Sequence, residues 1–191
     1  LFFYELVHES IMCKRSLFMV NNIQYKKRPT EDYDLFIRLA KAGMTVGRIS
    51  KHLLKVRKHP NSECGSNWST MKKDINQMRI ELVQDLGLQL TDEEKKMHIA
   101  FVEQNLATLN QYKFKDVLCW ANKIIRANEK CTVYNVTYFK QQLYLRLIRM
   151  IKRMKKKTIF DLIELKKSAK LYGKGISLRQ LLYIYRSTFY V

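Results

Sequence analysis

From Ser66 onward, apolar side chains return every three or four residues, and that period leaves little choice of fold. Trp68, Met71, Ile75, Met78, Leu82 and Leu86 fall on one stripe, with Gly87 placed to close it. Thr91-Asp92-Glu93-Glu94 has capping-box spacing and opens a second helix through Ile99, Val102 and Leu106. Phe114 to Ala127 makes a third helix, and Tyr134 to about Lys157 a long fourth. Thr158 to Tyr172, stopped by Gly173, and Ser177 to Tyr190 make the last two. Only 2 Pro and 6 Gly occur in 191 residues, so long loops are scarce.

The pattern before residue 66 is different. Ile11 to Cys13 reads as a short buried strand, and Ser16 opens a helical turn carrying Leu17, Phe18 and Val20. Asn21-Asn22 punctuates, and a basic loop of Lys26, Lys27 and Arg28 leads to Pro29. Met44 to Ile49 and Leu53 to His59 alternate as strands do, the second with Leu54 and Val56 on one face and Arg57 and His59 on the other. The expected fold class is therefore α+β and mostly helical. The expected division is residues 1–64 as an α/β portion and 65–191 as a basic helical domain, with the boundary inside 61–67. No internal repeat is present.

Between the two strand-like parts lies Thr30-Glu31-Asp32-Tyr33-Asp34-Leu35-Phe36-Ile37-Arg38-Leu39-Ala40-Lys41-Ala42-Gly43. Leu35, Leu39 and Ala42 recur at helical spacing, Thr30 is the expected N-cap and Gly43 the stop. Three carboxylates crowd its first turn. They have two readings: acids that favour the positive end of the helix dipole, or a carboxylate aimed into a cleft to take a proton from a hydroxyl.

Thirty-six Lys and Arg against 17 acids give a formal charge of +19, which calls for an anionic partner: phosphate groups, a membrane surface or nucleic acid. Cys13, Cys64, Cys119 and Cys131 form no C-x-x-C pair and read as reduced thiols of a cytoplasmic protein. No apolar run approaches the roughly 18 residues a membrane-spanning helix needs. The opening Leu1-Phe2-Phe3-Tyr4 has no signal-peptide pattern and reads as chain entered in mid-domain.

Three ordered stretches carry a family likeness. They are His8-x-Ser10-Ile11-Met12-x-Lys14-Arg15-Ser16, then Glu31-Asp32-Tyr33-Asp34-Leu35-Phe36-Ile37-Arg38-Leu39, then Leu53-Leu54-x-Val56-Arg57-x-His59-Pro60-Asn61-Ser62. This order resembles the C-terminal third of the catalytic domain of family 2 glycosyltransferases of the bacterial surface-polysaccharide type. There an H-P-x-x-M-x-R stretch, an E-D-Y-D-L-W-x-R-L helix and a Y-R-x-H strand follow one another. The likeness covers about residues 8–62, and Glu9 stands where the family has Pro.

The resemblance implies a GT-A fold, a Rossmann-like α/β domain that moves a sugar from a nucleotide-sugar to a glycan or lipid-linked acceptor with inversion. It makes Asp32 the general base and gives Glu31 an orienting role. It puts His8 and Arg57 on the substrate side and makes His59 a ligand of a divalent metal, Mn²⁺ or Mg²⁺. Asp34 is expected to cap the helix. The nucleotide-binding half and its D-x-D carboxylates are not found in this sequence. The expectation is therefore a piece of a longer enzyme, inactive alone, cytoplasmic and peripheral on the cytoplasmic face of the inner membrane.

The tail carries its own signal. From Lys140 on there are fourteen Lys or Arg and two acids. Leu143, Leu147, Met150 and Met154 form a stripe among them that suits either core packing or an anionic bilayer. Two other functions remain open: a basic helical nucleic-acid-binding module and a non-catalytic membrane adaptor. No helix-turn-helix, RNP aromatics or zinc knuckle favours nucleic acid.

Overall fold

The computed structural model describes residues 8–26, 29–45, 47, 49–55, 57, 67–154 and 157–173. The described chain is mostly helical and divides into two compact units, Leu1–Arg79 and Ile80–Val191. The division falls inside one helix, α3 (Trp68–Gln84).

In the first unit, a 3-10 turn (His8–Ser10) precedes α1 (Arg15–Val20) and α2 (Glu31–Lys41). The apolar face of α2 buries Leu35, Phe36 and Leu39 with Ile23, and Ile11, Phe18 and Met44 pack against them. Gly43 ends α2 because the chain there turns to φ +80°, a conformation that costs glycine little. Its N–H donates to Ala40 O and that of Met44 to Leu39 O, both 3.0 Å, which is the Schellman pattern.

No strand occurs among the described residues. Ile11 to Cys13 is irregular, with Met12 fully exposed. The described parts of Met44–Ile49 and Leu53–His59 are irregular too, and Ile49 and Leu53 are exposed. Alternation makes a strand only where a neighbour supplies ladder bonds and a surface to cover one face. No such neighbour exists among the described residues, so where they are described these three stretches are irregular chain rather than the expected strands.

In the second unit, the Thr91 box forms as the spacing required. Thr91 Oγ1 accepts from Glu94 N–H at 3.2 Å, and Glu94 Oε2 accepts from Thr91 N–H at 3.0 Å. The helix it opens, α4 (Asp92–Glu103), stops earlier than expected, at Gln104 with φ +51°. Gln104 is buried and its Nε2 donates to Arg146 O at 2.8 Å, while Arg146 donates to Val102 O at 2.6 Å. Leu106 then belongs to a separate short helix, α5 (Leu106–Leu109).

The organising element is α6 (Phe114–Cys131), which packs against α4, α7 (Val136–Arg153) and α8 (Ile159–Ser168). It buries Val117, Trp120, Ala121, Ile124 and Ile125 along one side. Buried Asn128 accepts from Tyr134 N–H and donates to Tyr134 O, both at 2.9 Å, which fixes the turn into α7. Leu143, Leu147, Met150 and Met154 are all buried, so that stripe is core rather than a membrane face. A second capping box, Thr158 with Asp161, opens α8. The expected helix at Ser177–Tyr190 lies outside the described residues.

Candidate functional site

The acidic first turn of α2 separates into two environments. Asp34 is buried, and its Oδ2 accepts from Arg38 Nε at 2.8 Å, with Arg38 Nη2 at 2.7 Å. The Arg38 guanidinium also donates to Gln24 O at 2.8 Å. Asp34 is thus an ion-pair partner of a residue four positions along the helix. Thr30 occupies the N-cap position but makes no capping bond. Its buried hydroxyl donates instead to Asp74 Oδ2 at 2.5 Å, tying the start of α2 to α3. Tyr33 is buried beside Arg79 on the same helix α3, and burial raises its phenol against the opposing pull of that guanidinium.

Glu31 and Asp32 face outward from this anchored turn. Glu31 is exposed and Asp32 half-buried, with Asp32 Oδ1 accepting from Tyr33 N–H at 2.7 Å. Tyr25 lies within electrostatic reach of both. Its phenol is raised by partial burial first, and then by the negative charges of Cys13, Glu31 and Asp32. The Tyr25 hydroxyl shares a hydrogen bond of 2.8 Å with His8 Nε2. The imidazole meets the Tyr25 ring edge-on at 5.8 Å and the Phe36 ring at 6.1 Å. Phe36 belongs to the core, so the histidine rests on a fixed surface.

His8 is thus held against Tyr25 and Phe36, and the Tyr25 phenol feels Glu31 and Asp32 at the N-terminus of α2. Sequence reasoning named His8, Glu31 and Asp32 but passed over Tyr25 and Cys13. Seventeen residues separate His8 from Tyr25, and no motif links them. Arg57 is exposed on irregular chain, and among the described residues no hydrogen bond or ion pair ties it to this group. His59 lies outside the described residues. His98, outside every motif quoted above, is buried with Nδ1 accepting from Trp120 Nε1 at 3.4 Å.

The arrangement offers one carboxylate in water's reach, a second beside it, and a neutral phenol oriented by an imidazole. It can accept a proton and hold a hydroxyl compound by hydrogen bonds. A metal is a different matter. Among the described residues no group of three or more His, Cys, Asp or Glu side chains could hold an ion, and His8 Nε2 is engaged with Tyr25. The divalent ion that the resemblance implies is assigned to His59, outside the described residues. Compared with protein-family models, with curated proteins and with solved structures, the chain matches none.

Proposed function

We propose that residues 1–64 form the acceptor side of an inverting glycosyltransferase, with Asp32 as general base. The observation that carries this reading is the His8–Tyr25 hydrogen bond beside α2, with the Tyr25 phenol feeling the charges of Glu31 and Asp32 in that helix's first turn. In the proposed step the acceptor oxygen attacks the anomeric carbon of a nucleotide-sugar, and the bond to the nucleotide diphosphate breaks. The acceptor proton passes to Asp32 as the new bond forms; a sugar hydroxyl is too weak an acid to lose it unaided. Glu31 orients the acceptor, and the Tyr25–His8 pair supplies a directional hydrogen bond to a neighbouring hydroxyl. Arg57 is assigned to the same substrate. The residues that hold the donor would lie outside this sequence.

The test is Asp32→Asn in the longest natural form of the chain, assayed by release of nucleoside diphosphate from nucleotide-sugars in the presence of glycan acceptors. A positioned base contributes about 10²–10⁴-fold, so a loss of that size is expected. A loss of only a few-fold would remove Asp32 as the base. Tyr25→Phe should act mainly on KM for the acceptor.

A further inference from the structure

Burial of the α7 stripe leaves the tail's excess charge without an explanation, and the exposed apolar side chains point to one. The inner face of α8 is covered, with Leu162 and Leu165 packed toward α6. Its outer face is apolar as well: Ile159 is 58% exposed, Phe160 74% and Ile163 41%. These three sit at positions i, i+1 and i+4 and form one patch at the start of the helix.

The patch lies at a corner crowded with cations. Lys157 Nζ donates to Lys152 O at 2.9 Å, which draws the start of α8 to the end of α7. Lys152 and Arg153 are exposed there, and Lys166, Lys167 and Lys170 follow on exposed positions of α8 and its last turn. Residues 149–170 hold nine Lys or Arg and two acids. Both acids are engaged locally: Asp161 accepts from Thr158 N–H at 2.8 Å, and Glu164 pairs with Lys167 at 3.1 Å.

We infer that the α7–α8 corner docks on an anionic bilayer surface, with Ile159, Phe160 and Ile163 entering the acyl boundary and the surrounding Lys and Arg meeting lipid phosphates. Aliphatic and aromatic side chains projecting from a basic rim have a place to go in a membrane interface. A nucleic-acid duplex would satisfy the cations and offer nothing to two isoleucines. The assignment does not depend on Asp32 or on any transfer reaction.

The full chain should co-sediment with vesicles of phosphatidylcholine and phosphatidylserine, less so as salt rises, and not with phosphatidylcholine alone. Phe160→Ser should weaken binding about tenfold, the size expected when one large apolar side chain no longer leaves water. Its unfolding midpoint should stay unchanged because the side chain is exposed. Phe160→Trp should show blue-shifted emission that brominated lipids quench. Wild-type affinity in Phe160→Ser, or emission untouched by brominated lipid, would overturn the proposal. So would an equal loss of binding to a DNA duplex in Phe160→Ser, which would assign the patch to nucleic acid.

Discussion

The two units are held together in different ways. Residues 80–191 wrap three helices around α6, and the buried face of α6 runs its whole length. Among the described residues the first unit has one small cluster of buried Ile23, Leu35, Phe36 and Leu39, supplemented by polar anchors: Thr30 to Asp74, and Arg38 to Asp34 and Gln24. The second unit carries polar ties too, Gln104 to Arg146, Arg146 to Val102 and Asn128 to Tyr134, but sets them beside a long apolar face. A small unit that presents a polar cluster at a helix start needs them, since hydrogen bonds hold direction where apolar contacts do not.

The largest contrast should come from the cores. Leu147→Ala is expected to cost about 2–5 kcal/mol in chemical unfolding, because surrounding helices cannot close on the cavity. Leu35→Ala should fall at the low end of that range, since the small cluster of Ile23, Phe36 and Leu39 can relax around it. Equal losses would mean that the first unit is as rigid as the second.

The hydroxyl anchors should differ next. Thr30→Val removes a hydrogen bond to a carboxylate and should cost about 1.5–3 kcal/mol. Thr158→Ala removes an N-cap on an exposed helix start and should cost about 1 kcal/mol. Thermal unfolding of both variants measures the difference.

The smallest effect is on pH. In the second unit, burial pushes the Tyr144 phenol up to about 12, and Tyr172, stacked on it at 5.0 Å, is raised by burial and then by Tyr144 and Cys119. A raised phenol contributes stability that is full below the unfolded value near 10 and is lost as pH climbs through the folded one. The second unit should therefore weaken from about pH 10 upward. Tyr144→Phe should flatten part of that decline. At neutral pH it should be neutral or stabilising by up to about 1 kcal/mol, because the Tyr144 hydroxyl is buried without a hydrogen-bond partner among the described residues.

Much of the helical architecture was legible because its signals are local. Thr91-x-x-Glu94 and Thr158-x-x-Asp161 announce their helices within four residues, and the stripe of α7 marks the face it buries. The break at Gln104 was not legible, since its cause is Arg146, forty-two residues away. The described residues of Met44–Ile49 form no strand despite their alternation, because alternation marks a segment that could pair, and pairing is a property of neighbours. At the candidate site, the carboxylates were visible through their spacing. Tyr25 was not, because a turn of chain, and no motif, brings its hydroxyl to His8.

Asp34 holds α2 through its pair with Arg38, whereas the proposed function makes Asp32 the base. The most direct check is the thermal unfolding of Asp34→Asn beside Asp32→Asn at neutral pH. Breaking the Arg38 pair should cost about 1–3 kcal/mol, whereas Asp32→Asn should lose less than about 1 kcal/mol, the share of a helix-terminal charge. If Asp32→Asn destabilises the chain as much as Asp34→Asn does, Asp32 is a structural carboxylate and its assignment as a base fails.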